Sequence, residues 1–188
     1  MNKKENRTTA DRLDFNFARE RSLNLLKSSS HKENKIGLFI LMGIYTGLRV
    51  SELLSLKYKN VQDDKLIINP LKKKGKYQPR IIPIHPFIRT YLNGNSDEYI
   101  FLNSQGTVYT KNSMIRLMKQ AFYDIVNEKN ISCHTTRKTF GYHFWEVEDF
   151  SEKSLAKLCD AFSHRSISTT KKYLGITQDD LDDVYLKF

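Results

Sequence analysis

The chain has little cysteine and no long apolar run. Its two cysteines, Cys133 and Cys159, lie far apart and lack the paired spacing that zinc sites and disulfide frameworks need. We therefore expect two reduced, buried thiols and no metal site. No segment approaches the ~20 apolar residues of a membrane-spanning helix, and the N-terminus is polar without a signal-peptide core. These absences exclude a disulfide-stapled or membrane-spanning protein and predict a cytoplasmic one.

Acidic residues are fewer than basic ones. The chain has 21 Asp and Glu against 31 Lys and Arg, which gives a formal net charge of +10. A surface with this excess attracts polyanions through its long-range potential, and nucleic acid is the first candidate. The length of 188 residues and the 39% hydrophobic content suit one well-packed domain. No internal repeat or low-complexity linker divides it.

Apolar residues recur mostly at helical spacing. This periodicity predicts helices over residues 11–26, 36–45, 50–57, 87–92, 110–127, 134–147, 152–162, 168–174 and 178–188. A brief extended run covers residues 99–102. The predicted fold class is therefore α+β, a mainly helical single domain over residues 11–188 after a flexible polar tail at residues 1–10.

One region departs from the helical pattern. Residues 66–68 and 80–84 are rich in β-branched side chains and flank a lysine-rich turn at residues 72–76, which predicts an antiparallel hairpin with a basic tip. Pro79 and Pro83 indicate that its second strand is an edge strand or is interrupted. We expect this hairpin to be the small sheet of the domain.

Several polar residues are candidates for chemistry, although each one alone has an ordinary explanation. Arg49 follows a glycine turn and suits a helix end or a surface. His134 and Arg137 lie three residues apart on one helix face, where they can grip a phosphate or simply form a solvated basic face. His164 suits a helix cap, and Tyr173 at helical spacing suits a core.

The order and surroundings of these residues make a more specific pattern. The first box is Thr46-Gly47-Leu48-Arg49-Val50-Ser51-Glu52-Leu53-Leu54-Ser55-Leu56, the second is His134-Thr135-Thr136-Arg137, and the third runs from Phe162-Ser163-His164 to Tyr173-Leu174. In the third box the histidine precedes the tyrosine by nine positions. Together the boxes resemble those of the tyrosine recombinases, the phage integrase family, over most of the chain.

The resemblance implies a reaction and a set of catalytic residues. Tyr173 attacks a phosphate of double-stranded DNA to give a 3′-phosphotyrosine link, and a lysine of the hairpin protonates the leaving 5′-oxygen, which becomes a free 5′-hydroxyl. Among Lys72, Lys73, Lys74 and Lys76 we select Lys73. Two fixed guanidinium groups, of Arg49 and Arg137, stabilise the phosphate oxygens without a metal or other cofactor, and His134 and His164 donate hydrogen bonds to the same oxygens.

The chain departs from the family pattern at the second and third boxes and at its N-terminal end. Ser163 stands where glycine is usual, and Lys138 stands where histidine is common. The first box begins at Thr46, so we expect no N-terminal core-binding domain. We also expect a homotetramer on DNA that exchanges its C-terminal segment between subunits, through the apolar face of Leu181, Val184, Tyr185 and Phe188.

The alternatives to site-specific recombination are a DNA-binding regulatory module and a relaxing enzyme of the type IB topoisomerase kind.

Overall fold

A computed structural model describes residues 10–69 and 79–176 of the protein. The helices in these residues are α1 Phe15–Leu26, α2 His31–Thr46, α3 Val50–Leu54, α4 Pro86–Arg89, α5 Lys111–Ala121, α6 Cys133–Val147, α7 Glu152–Phe162 and α8 Ile167–Leu174. The strands are β1 Val61–Gln62, β2 Lys65–Ile68 and β3 Arg80–Pro83, which form one antiparallel sheet in the order β1-β2-β3. The prediction of a mainly helical α+β fold with a small antiparallel sheet is confirmed.

The described chain divides into two compact units at Phe140 and Gly141, within α6. In the first unit, α2 is buried on almost every side between Ile36 and Ile44, as its continuous apolar sequence predicts. Helix α1 packs along α2, and α5 adds a core-facing row of Met114, Leu117 and Met118. These helices form the core on which the sheet rests.

The sheet follows the predicted hairpin. In β2 the buried Leu66 and Ile68 alternate with Lys65 and Ile67, as expected for a strand with one face on the core. Leu66 lies opposite Ile82 of β3, and β3 forms an edge among the described strands. The proline in β3 is tolerated because an edge strand need not donate a hydrogen bond to the ladder on its outer side. The lysine-rich tip lies outside the described residues.

The second unit is built from the end of α6 with α7 and α8. Leu155, Leu158 and Phe162 of α7 and Leu174 of α8 are buried. Gly141 lets these helices approach, because a Cβ there would lie 2.8 Å from a methyl carbon of Leu174 and 3.0 Å from the Phe162 ring. The observed bounds of α7 match the predicted 152–162, and α8 begins one residue earlier than predicted.

Helix α2 begins five residues before its predicted start. Its polar first turn hides the helix from hydrophobic periodicity, but the Ser30 side chain accepts a hydrogen bond from the Glu33 N–H and caps it. Conversely, α5 ends at Ala121 rather than at residue 127. The Ala121 carbonyl accepts from Arg21 Nη1 at 2.8 Å, while the Ile125 N–H donates to Phe122, so the α-helical ladder stops there.

Other elements also differ from the predictions. Helix α3 ends at Leu54 instead of residue 57, because Lys57 forms an isolated antiparallel bridge with Tyr99. Strand β1 was not predicted, since two residues are too few to show a period. Helix α1 begins at Phe15 after an Asp14 cap whose side chain accepts from the Phe17 N–H. Hydrophobic periodicity does not record such tertiary and capping contacts.

The described residues include both cysteines. Cys133 and Cys159 are both buried and free, as predicted, and burial raises the pKa of Cys133 to about 12. Within residues 10–69 and 79–176, no cluster of three or more His, Cys, Asp or Glu residues is arranged to hold a metal ion. No helix in the same residues is long and apolar enough to cross a membrane.

Candidate active site

Arg49 lies at a tight turn between two helices. Gly47 caps the C-terminus of α2, and its φ of 61° is left-handed and therefore suits glycine. Arg49 is the N-cap of α3, and its backbone N–H donates to Glu52 Oε2 at 2.7 Å. The other carboxylate oxygen, Glu52 Oε1, lies 3.6 Å from Arg49 Nη1 and accepts from Arg80 Nη2 at 3.0 Å. One carboxylate thus orients both the backbone and the side chain of Arg49.

Arg137 meets the same turn from a distant part of the sequence. Its side chain is only 2% exposed, and Nη1 donates to the Gly47 carbonyl at 2.6 Å. Arg137 therefore binds the carbonyl end of α2, where the helix dipole favours a cation. The close approach depends on Gly43 of α2, because a Cβ there would lie 2.6 Å from the Cβ of Thr136. Arg137 is therefore bound at Gly47, two residues before Arg49 in the sequence.

His134 lies in the first turn of α6, one turn before Arg137, and its side chain is exposed. The backbone N–H of His134 donates to Ser132 Oγ at 3.1 Å. Desolvation lowers the pKa of His134 below its ordinary value, and the positive charges of Lys111, Arg137, Lys138 and Arg49 lower it further. A phosphate bound among these cations would oppose this shift, because an anion favours the protonated imidazole.

The second unit places His164 beside Tyr173. The His164 N–H donates to the Cys159 carbonyl at 2.9 Å, across the left-handed Ser163 that ends α7. His164 Nδ1 lies 3.0 Å from Thr170 Oγ1. The imidazole and phenol rings meet edge to face with centroids 5.2 Å apart and planes at 67°. The loop after α7 and one threonine of α8 therefore fix the histidine ring.

Tyr173 lies in the last turn of α8, whose N-cap is Ser166. Its ring also packs edge to face on Phe162 of α7, with centroids 5.7 Å apart, and its hydroxyl oxygen is buried. Phe162, His164 and Tyr173 form one aromatic cluster within the second unit. The tyrosine ring is thus held in one orientation by packing.

The predicted site residues fall into three groups. Arg49, His134 and Arg137 belong to the first unit, His164 and Tyr173 belong to the second, and Lys73 lies outside the described residues. The catalytic role of each remains a prediction.

Three side chains that hold the predicted residues, directly or through a second side chain, were missed. Glu52 had a usable signal, because a Glu three residues after an N-cap is typical of a helix start. Thr170 lies one helical turn before Tyr173, but no local pattern indicates its bond to His164. Nothing in the sequence indicates that Arg80 pairs with Glu52.

Both departures from the family pattern have a structural setting. Ser163 has a φ of 52°, which explains why glycine suits this position. Lys138 is 7% exposed. Desolvation lowers its pKa below the ordinary value, and the Asp11 carboxylate opposes that shift in part. The Asn130 backbone holds Asp11: its N–H donates to Asp11 Oδ2 at 2.8 Å, and its carbonyl accepts from the Asp11 backbone N–H at 2.9 Å.

Comparison with known proteins identifies the class. The phage integrase family model matches residues 17–179. The chain is 32% identical over 188 residues to tyrosine recombinase XerC of Pelobacter propionicus, covering 94% of this chain and 60% of the relative. It is 32% identical over 167 residues to the probable integrase/recombinase YoeC of Bacillus subtilis, covering 83% and 86%. The chain therefore spans less than two thirds of XerC but most of YoeC.

Solved structures show the same fold. The catalytic domain of bacteriophage HP1 integrase aligns with a TM-score of 0.59 at 19% identity, covering 95% of each chain. XerH site-specific recombinase bound to its palindromic difH substrate aligns with a TM-score of 0.65 at 19% identity, covering 98% of this chain and 55% of that one. This chain belongs to the phage integrase family of tyrosine recombinases, and its fold matches that of the HP1 integrase catalytic domain.

Proposed function

We propose that this protein cleaves and rejoins double-stranded DNA at specific sites through a 3′-phosphotyrosine intermediate on Tyr173. The observation that carries the proposal is the bond from Arg137 to the Gly47 carbonyl. It brings the second arginine of the pattern, 90 residues away in sequence, to the turn that holds Arg49. Two guanidinium groups at one turn suit a phosphodiester, whose non-bridging oxygens gain negative charge during in-line attack.

The attack is assigned to the Tyr173 hydroxyl oxygen. This oxygen bonds to phosphorus as the bond from phosphorus to the 5′-oxygen breaks, so the ester energy is kept in the protein–DNA link. A phenol with an ordinary pKa of ~10 is a weak nucleophile. Arg49 and Arg137 stabilise the charge on the phosphoryl oxygens, so the chemistry needs no metal ion. Rejoining reverses the step with a 5′-hydroxyl as the nucleophile.

The proton transfers are assigned to the remaining residues. His134 and His164 donate hydrogen bonds to the phosphoryl oxygens, and one of the two takes the proton of the Tyr173 phenol as it attacks. Lys73 protonates the leaving 5′-oxygen. The contact from His164 Nδ1 to Thr170 supports this role for His164, because it fixes the imidazole ring beside the phenol of Tyr173. Lys73 is supported by the hairpin position alone.

We infer that DNA is the partner and that the active form is a homotetramer on DNA, with residues 11–188 as the catalytic domain. The net charge of +10 supports binding to DNA. The C-terminal segment Gln178–Phe188, which lies outside the described residues, is the segment that we propose to be exchanged between subunits. Its apolar residues are the support for that exchange.

A trapping assay tests the function. The protein is incubated with nicked duplexes in EDTA, and adducts that survive denaturation are compared for the wild type and Tyr173→Phe. We expect a wild-type adduct in EDTA that Tyr173→Phe abolishes, because only the phenol oxygen forms the ester. Tyr109→Phe, on a tyrosine outside the three boxes, is the matched control and keeps the adduct.

The alternatives predict different results. A DNA-binding regulatory module binds duplexes but forms no adduct on any of them, including a duplex carrying the cognate site. A type IB relaxing enzyme forms the adduct and relaxes supercoiled plasmid without assembling on two duplexes. Mass photometry with Tyr173→Phe, which binds DNA but cannot cleave it, measures assembly. Tetramers on paired duplexes would favour recombination over relaxation.

A further inference from the structure

Two arginine side chains of the first unit meet at one carboxylate, that of Glu52. Glu52, with only 14% of its side chain exposed, accepts from Arg80 Nη2 at 3.0 Å and lies 3.6 Å from Arg49 Nη1, both through Oε1. Its Oε2 accepts the Arg49 backbone N–H at 2.7 Å. Arg80 is the first residue of β3, on the second strand of the hairpin, whereas Arg49 and Glu52 belong to the start of α3. The contact therefore joins the hairpin to the arginine turn.

The charges of this triad do not cancel. Two guanidinium groups and one carboxylate leave a net charge of +1, and the shorter contact to Oε1 belongs to Arg80. If Arg80 were neutral, Glu52 would pair with Arg49 alone and the pair would have no net charge. The attraction of this turn for a phosphate would then fall, since a partly buried pair is weakly screened by solvent.

We propose that Arg80 is a positioning residue for strand cleavage, because it balances the charge of Glu52 and so keeps a net positive charge beside Arg49 that attracts a DNA phosphate. This inference rests on the proposed function. It assigns Glu52 two separable tasks: Oε2 holds the backbone of Arg49 through the helix cap, while the charge on Oε1 is balanced by the hairpin strand.

The two tasks can be separated with one substitution. Glu52→Gln keeps an oxygen that accepts the Arg49 N–H, since glutamine serves at this position of a capping box, but it removes the charge. Arg80→Gln therefore lowers the cleavage rate, and adding Glu52→Gln restores it by returning the net charge to +1. A bridge that only holds β3 in place predicts no restoration, because the first substitution already breaks the bridge.

The experiment measures the single-turnover rate of the Tyr173–DNA adduct at saturating duplex. We expect Arg80→Gln to slow the reaction about 10- to 100-fold, the usual effect of displacing a phosphate-binding group, and the double variant to recover at least about tenfold of it. Arg89→Gln is the matched control: it removes the same charge from an arginine that bonds the Asp63 carbonyl instead, and it keeps the wild-type rate. A double variant as slow as Arg80→Gln overturns the proposal.

A second measurement does not depend on cleavage. The ¹H–¹⁵N resonance of Arg49 Nε in the DNA-free protein should move in Arg80→Gln, return towards its wild-type position in the double variant, and stay in place in Arg89→Gln. If the Arg49 Nε resonance does not move in Arg80→Gln, the inference is overturned. Loss of the wild-type adduct would refute the proposed function instead, and the resonance would still decide whether Arg80 acts on Arg49.

Discussion

A buried threonine holds the imidazole of His164, and the phenol of Tyr173 packs against the same ring. We predict that Thr170→Val slows adduct formation about fivefold, because it removes a hydrogen bond worth about 1 kcal/mol and frees the ring to rotate. Single-turnover rates at several pH values test this. Thr170→Ser should restore both the rate and the pH profile, whereas Thr169→Val, one residue away on the helix surface, should change neither. An unchanged rate in Thr170→Val would exclude a positioning role.

Ser163 has a backbone conformation that side chains disfavour. Its φ of 52° lies in the left-handed region, where a residue with a Cβ is strained by roughly 1–2 kcal/mol. Ser163→Gly relieves this strain but adds freedom to the unfolded chain, so we predict a gain of about 0.5 kcal/mol in the free energy of unfolding. Chemical denaturation measures it. Ser166→Gly removes the cap of α8 at a negative φ and should lower stability, and equal effects of both changes would contradict the strain argument.

His134 makes the stability of the protein depend on pH. Its folded-state pKa is lowered, first by desolvation and then by cations that include Lys111, so the unfolded chain binds more protons as pH falls through the ordinary value of ~6.5. The free energy of unfolding of the wild type should therefore fall below pH ~6.5 relative to that of His134→Gln. Lys111→Gln should weaken this dependence. Denaturation curves from pH 8 to pH 5 measure it, and parallel curves for wild type and His134→Gln would refute it.

At the scale of elements, the contact between α2 and α6 brings Arg137 to the arginine turn. A methyl group on Gly43 would meet Thr136, so Gly43→Ala must push the two helices apart. We predict a loss of about 1–3 kcal/mol in the free energy of unfolding together with loss of the adduct, because Arg137 no longer reaches the Gly47 carbonyl.

The control for this prediction is Ile40→Val on the same helix. It removes one buried methyl group at a cost of about 0.5–1.5 kcal/mol without touching the helix spacing, and it should keep the adduct under conditions where both variants are folded. If Gly43→Ala retains full cleavage, the close approach of α2 and α6 does not position Arg137.

At the scale of the whole molecule, the net charge of +10 governs binding to DNA of any sequence. We predict that affinity for a random duplex falls about a thousandfold between 50 and 200 mM salt, as expected if about six phosphates are neutralised. Fluorescence anisotropy measures the slope. Tyr173→Phe should show the same slope, because both side chains are uncharged. A shallow slope would mean that few basic side chains contact the DNA backbone.

The amino-acid sequence by itself determined the family, the order of the three boxes and the type of most elements. The element types could be predicted because hydrophobic spacing is local. The apolar run of α2, the amphipathic α7 and the β-branched hairpin strands each bury a face that their own spacing defines. The helix ends were harder to predict. The start of α2 depends on the Ser30 cap, and the end of α5 depends on Arg21, which lies 100 residues away.

Only the tertiary structure decided which side chains support the predicted ones. The bond of Arg137 to the Gly47 carbonyl, that of Arg80 to Glu52 and that of Thr170 to His164 join groups on different helices, strands and turns. No periodicity records such contacts, because they depend on how helices pack and on where glycine allows two backbones to approach. The sequence therefore predicts the residues of the chemistry, and packing determines which partners orient them.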